Sequence, residues 1–202
     1  MNKKIKSIEI VLLLFVFMFT CFIESVRAVT LLTEEEALSK IFPGAEQVVS
    51  EVKTASDSQL ADIKKQLGGS LTAHEKGNNQ KDIEKGKEFT FYFSIKDGKK
   101  TGAAIILTEP GSWGPIELIV GITPDAKITR VIVMRYTEVR GRPIARGSFL
   151  KQFAGKGLGS GFTLGKEIRA VSGATLSSYA AVFTIKKALV LYEKLCEKAG
   201  ND

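Results

Sequence analysis

From residue 89 onward apolar and polar side chains alternate. Phe89, Phe91, Phe93 and Ile95 fall on one side, and Thr90, Tyr92, Ser94 and Lys96 on the other. That is the period of a strand with one buried face. Asp97-Gly98 is a two-residue turn signal, and Gly102 to Thr108 reads as the returning strand. A Gly/Pro-rich connection, Glu109 to Pro115, holds the single tryptophan, Trp113. Ile116 to Ile122 and Ile128 to Met134 follow as strands around the turn Thr123-Pro124-Asp125-Ala126. Four strands joined by short turns predict an antiparallel, twisted sheet rather than a βαβ sheet.

Helical periods lie on either side of this run. Thr33-Glu34-Glu35-Glu36 is a capping-box signature opening a short helix through Ala37, Leu38 and Ile41, stopped by Pro43-Gly44. A second piece is expected from Ser58 to Leu67, ended by Gly68-Gly69, and the polar stretch His74 to Lys87 reads as a mobile loop. Ser148 to Phe153 is a short helix. From Ser177 to Lys198, Val182, Ile185, Leu189, Tyr192 and Cys196 recur at spacings of 3 and 4, which predicts a long amphipathic helix packed on the sheet. The fold class is α+β: a twisted antiparallel sheet against a long C-terminal helix, with short N-terminal helices. Residues 29–88 read as a helical extension of the domain formed by residues 89–202.

The first residues have a different character. Lys3, Lys4 and Lys6 precede an apolar run, Ile10 to Ile23, broken only by Thr20 and Cys21, and Val26-Arg27-Ala28 suits a cleavage site. The run is shorter than the ~20 residues of a spanning helix. Residues 1–28 therefore read as a signal peptide cleaved after Ala28. This places the protein in the periplasm or on the outer face of the cytoplasmic membrane. The leader carries Lys3, Lys4, Lys6 and Arg27 against Glu9 and Glu24, so the remaining chain keeps +5 of the formal +7. That charge fits an anionic membrane surface or an acidic redox partner, or simply a soluble protein with scattered lysines. No basic run interleaved with aromatics marks a nucleic-acid module.

Cys21 lies in the leader, which leaves Cys196 without an intramolecular disulfide partner or a CxxC mate. Any redox chemistry must then come from a bound cofactor. The sole histidine, His74, has no second histidine to make a zinc helix, and metal binding is not expected. Gly155-Lys156-Gly157-Leu158-Gly159-Ser160-Gly161 fails both the P-loop and the GxGxxG spacing, and reads as a flexible or cofactor-edge loop.

Val171-Ser172-Gly173-Ala174-Thr175-Leu176-Ser177-Ser178 is the segment with chemistry in it. Its small residues allow close approach of a ligand, and the terminal helix starts directly after, presenting unpaired N–H groups and a partial positive charge to an anion. The plain alternative is that Thr175 or Ser177 only caps the helix.

Ser172-Gly173-Ala174-Thr175, followed by Leu176-Ser177-Ser178, resembles the flavinylation motif of FMN-binding domains. These occur in the FMN-carrying subunits of the sodium-pumping NADH:quinone oxidoreductase and the Rnf complex, and in related exported flavoproteins. The resemblance extends over roughly Phe89 to Leu195. Gly111-Ser112-Trp113-Gly114 is similar to the family's Gly-x-Trp-Gly strand entry, and Phe149-Leu150-Lys151-Gln152-Phe153 to the short helix before the motif. It implies an electron carrier with FMN as cofactor, joined by a flavin transferase through a phosphoester to Thr175, and a membrane or exported redox partner. It further implies that Ser172, Gly173 and Ala174 shape the phosphate turn, that Ser177 and Ser178 donate to it, and that Trp113 and Glu138 lie near the ring.

Three departures stand out. Arg169 occupies the position, six residues before the threonine, where the family usually has Asp, and could pair with the FMN phosphate instead. The family's His-x-Glu-Thr-Pro-Gly-Leu-Gly is replaced by Tyr136-Thr137-Glu138-Val139-Arg140-Gly141-Arg142-Pro143, which keeps only Glu138 and Gly141. Arg140, Arg142 and Arg146 make that rim basic. These differences leave open a non-covalent FMN-binding or sensing module, or a cofactor-less helper of a membrane redox complex.

Overall fold

A computed structural model describes residues 29–73, 87–111, 114–136 and 142–196; for Arg142 and Pro143 it describes the backbone alone. Residues 1–28, read above as a signal peptide, and the stretch 74–86 lie outside these residues. The elements in chain order are β1 (Val29–Thr30), α1 (Glu34–Ile41), β2 (Gln47–Thr54), α2 (Asp57–Gln66), β3 (Glu88–Lys96), β4 (Lys99–Pro110), β5 (Pro115–Ile122), β6 (Ile128–Tyr136), α3 (Gly147–Leu150) and α4 (Thr175–Leu195). The strands form one sheet in the order β1-β6-β5-β4-β3-β2, and every neighbouring pair is antiparallel.

The four expected strands are β3 to β6, each at least as long as its apolar pattern. Asp97 and Gly98 both take positive φ, 50° and 69°, as a two-residue hairpin whose twist matches the flanking strands requires. Residues 29–88 are more than helical: they add a strand to each edge of the sheet. β2 pairs along its whole length with β3, from Gln47↔Ile95 to Thr54↔Glu88.

Both short helices begin with complete capping boxes. The Thr33 hydroxyl accepts from Glu36 N–H and Glu36 accepts from Thr33 N–H, and Ser56 and Gln59 repeat the arrangement. α1 lies on one face of the sheet, where Ala37 and Ile41 pack with Ala104, Ile119 and Met134. Gly121 makes that approach possible, since a Cβ there would stand 2.7 Å from Ile41 and 2.5 Å from the Thr129 hydroxyl.

The opposite face carries the main core. Phe91, Ile105, Leu118, Val120 and Ile122 meet Ile185, Ala188 and Leu189 of α4. α4 differs from the one-faced helix predicted. α2 covers its outer side, with Gln59 donating to the Lys194 carbonyl and Lys186 to the Gln66 carbonyl. Ala180 to Ile185 and Lys187 to Tyr192 are consequently buried on nearly every side of the helix. A helix apolar all round belongs in the middle of a layered core. Among the described residues no helix is long and apolar enough to cross a membrane.

One charged pair is enclosed in this core. Glu109, at the end of β4 and 1% exposed, accepts from the Lys187 ammonium at 2.7 Å and from the Ala73 N–H at 2.9 Å. The Lys187 ammonium also donates to the Leu71 carbonyl at 2.7 Å. The pair thus ties α4, β4 and the segment after α2 at one point.

Candidate functional site

The segment from Val171 to Ser178 folds as a turn that launches α4. Ala174 N–H donates to the Val171 carbonyl at 3.0 Å, which closes a four-residue turn with Gly173 in its third position at φ 75°. A positive φ at that position is the geometry for which glycine is favoured. Ser178 locks the turn from inside: its buried hydroxyl accepts from Val171 N–H at 3.1 Å and donates to the Ala174 carbonyl at 2.8 Å. Ser178 therefore builds the turn with both of its hydroxyl bonds. Ser177 is also buried.

The helix start departs from the simple capping expectation. The N-cap is Ala174, not Thr175 or Ser177, and it makes no side-chain cap hydrogen bond. An alanine there forgoes about 1 kcal/mol relative to Ser, Thr, Asp or Asn. Thr175 is the first helical residue and is exposed, as are Ser172 and Gly173. The Thr175 hydroxyl has no partner among the described residues. An exposed hydroxyl thus stands at a helix N-terminus left open to an anion. These residues fit a phosphate-bearing cofactor.

Beside the turn lies a cleft of about 420 Å³ lined by Arg146, Ser148, Phe149, Gln152, Arg169, Ala170 and Val171. Its walls are the short helical turn after β6 and the strand-like approach to the motif, and Gln152 joins them. Gln152 accepts from Arg169 N–H at 2.9 Å and donates to the Arg169 carbonyl at 3.3 Å and the Phe149 carbonyl at 3.2 Å. Phe149 is the buried apolar residue of the lining, and its ring packs edge to face on Phe153 at 5.5 Å.

The side chains of Arg146 and Arg169 are exposed, and neither has a carboxylate partner among the described residues. The acid nearest Arg169 in sequence, Glu167, is engaged elsewhere. It accepts from Thr163 N–H at 3.0 Å, and hydrogen bonding to the Thr163 side chain holds its carboxyl below the usual carboxylate range.

The structure brings Ser172, Gly173, Ala174, Thr175, Ser177 and Ser178 into the turn, with Arg169 in the adjoining cleft. Trp113, Glu138 and Arg140 lie outside the described residues. Arg142 falls in the 3-10 turn Arg142–Ala145. Arg146 and Gln152 were not singled out as site residues by the sequence. Their signal was the basic rim and the helix match, but only the tertiary fold brings them to one cleft with Arg169. The glycine-rich loop is anchored to the sheet, with Gly155 N–H donating to the Ile128 carbonyl at 2.7 Å and Ile128 N–H to the Lys156 carbonyl at 2.9 Å.

Residues 111–190 match the FMN-binding domain family, a span that runs from the β4–β5 connection through the cleft and turn into α4. A curated relative is a component of the proton-translocating ferredoxin:NAD(+) oxidoreductase complex of Clostridium ljungdahlii. It is 31% identical over 107 residues, which is 48% of this chain and 57% of that protein. The chain thus matches little more than half the length of this relative. The chain also aligns with the crystal structure of Shewanella oneidensis NqrC at a TM-score of 0.48 and 21% identity, covering 82% of this chain and 88% of that one. The cleft, the turn and most of α4 thus lie within residues 111–190, the span that matches the FMN-binding domain family, and that match marks FMN as the cofactor.

Proposed function

We propose that this chain is an exported electron-transfer protein, the FMN-carrying component of a membrane redox complex of the kind to which its Clostridium relative belongs, with FMN bonded through its phosphate to Thr175. The single observation that carries attachment is the exposed Thr175 hydroxyl, without a partner among the described residues, on an N-terminus whose cap lacks a side-chain bond. Attachment by a flavin transferase would exchange the Thr175 O–H for an O–P bond, with loss of the hydroxyl proton and departure of the donor's leaving group. Gly173 would let the backbone turn beneath the phosphate, and Ser178 would hold that turn rigid.

Bound FMN supplies one- and two-electron chemistry, and the protein sets its position and surroundings. This chain's contribution is then to anchor the phosphate at the α4 start and to present a cleft with an apolar floor and a basic rim. The membrane location rests on the leader-like residues 1–28 and on the relative's complex.

The test is denaturing electrophoresis of protein coexpressed with a flavin transferase. A fluorescent flavin band that disappears in Thr175→Ala is the expected result. Yellow native protein that loses its flavin on denaturation would instead favour non-covalent binding, a reading to which Arg169 gives a specific motive. A colourless preparation would contradict both.

A further inference from the structure

We propose that Arg146 and Arg169 form a phosphate-monoester clamp across their shared cleft, which captures FMN by its phosphate independently of any bond to Thr175. This rests on FMN being the cofactor and deepens that reading by naming how the group is first held. Both arginines line one cleft of about 420 Å³, within the size range of small-ligand sites. Neither is neutralised by a carboxylate among the described residues, although several carboxylates elsewhere pair with cations. Glu117 bonds Arg135, Asp125 bonds Lys127, and Glu109 bonds Lys187. Glu167, two residues from Arg169, is committed to Thr163.

Two cations facing one cleft repel each other, and a dianionic phosphate ester removes that repulsion. Guanidinium suits it well, since its planar fork matches phosphate oxygens in pairs. The backbones that carry both side chains are fixed in advance. The Arg146 carbonyl accepts from Phe149 N–H at 3.0 Å and Leu150 N–H at 3.2 Å. Arg169 is held on both sides of its peptide unit by Gln152. Ser148 adds a hydroxyl to the lining, while Phe149 and Val171 supply apolar contact for the organic part of the ester.

The test uses full-length Thr175→Ala protein made without transferase, so that no covalent bond forms, titrated with FMN and with riboflavin by quenching of flavin fluorescence. FMN should bind at least about tenfold tighter than riboflavin, the size expected for charge-assisted bonds to phosphate. Inorganic phosphate should compete with FMN, and rising salt should weaken FMN alone. The pair of changes Arg146→Gln and Arg169→Gln should remove the preference for FMN and leave riboflavin binding as it was, while lysine at both positions should restore part of it.

Equal binding of the two flavins, or an FMN preference untouched in a double variant that unfolds like its parent, would overturn the clamp. Failure of Thr175→Ala to bind either flavin would overturn it as well. Attachment at Thr175 fails or holds independently of the clamp, because wild-type protein coexpressed with transferase either shows a fluorescent band or does not.

Discussion

Breaking the Glu109–Lys187 pair should be among the most destabilising single changes in the chain. Glu109 is 1% exposed and Lys187 9% exposed, and each charge depends on the other at 2.7 Å. Replacing Glu109 by Leu strands the Lys187 ammonium in the core with only the Leu71 carbonyl, and orphans the Ala73 N–H. Removing one partner of a buried pair costs about 3–5 kcal/mol, and a buried N–H left without an acceptor about 1–3 kcal/mol. These figures overlap rather than add. A loss of about 4 kcal/mol is a large fraction of the 5–15 kcal/mol typical of a domain. Lys187→Met should cost a similar amount. The double variant should lose much less than the sum, because no uncompensated charge remains and only the Ala73 and Leu71 backbone groups want partners. Urea unfolding followed by far-ultraviolet circular dichroism gives all three values from midpoint and slope. Arg135→Ala, which breaks a partly exposed pair with Glu117, is the control and should cost about 0–1 kcal/mol. Single effects under about 1 kcal/mol, or additive ones, would refute the reasoning.

Other consequences concern the turn and the sheet. Gly173→Ala should destabilise by about 1–2 kcal/mol through its φ of 75° alone, since nothing lies within 4 Å of the added Cβ, and should lower flavin loading. Ala174→Ser should supply the missing cap, raising stability by about 1 kcal/mol while weakening FMN binding, because the serine oxygen competes for the same N–H groups. Tyr92 has its pKa pushed up to about 12 by burial and then by its hydrogen bond to Glu34. The unfolded phenol ionises first, so its contribution to stability is complete below pH 10 and is lost as pH rises from 10 to about 12. Tyr92→Phe should flatten that part of a pH–stability profile, and an unchanged profile would contradict the assignment.

Much of the fold was legible where one face of an element is buried and the other is not. Phe89, Phe91 and Phe93 announce β3, and Thr33 with Glu36 announces its helix through local chemistry, whereas the second helix was expected only from Ser58 and its Ser56–Gln59 box emerges from the structure. β2 escaped because it is an edge strand with weak contrast: Val48 and Val52 are 38% and 60% exposed, and the opposite face carries Glu51 and Lys53. The burial of α4 on nearly all sides depends on α2 arriving from far along the chain. Lys187 could only look like a solvent-facing residue until Glu109, 78 positions away, was placed against it. The motif itself was readable, as small residues before a helix, but the division of labour within it was not. That Ser178 is buried while Thr175 is exposed follows from the turn at Gly173, and that Arg169 and Arg146 line one cleft follows from the bonds of Gln152.

The central claim, FMN held at Thr175, is tested most directly by proteolytic digestion and mass spectrometry of unfolded protein coexpressed with a flavin transferase. The peptide containing Ser172 to Ser178 should be heavier by one FMN less one water, with fragmentation placing the addition on Thr175, and Thr175→Ala should yield the same peptide unmodified. An unmodified Thr175 peptide from wild-type protein, or flavin attached to any other residue, would contradict it.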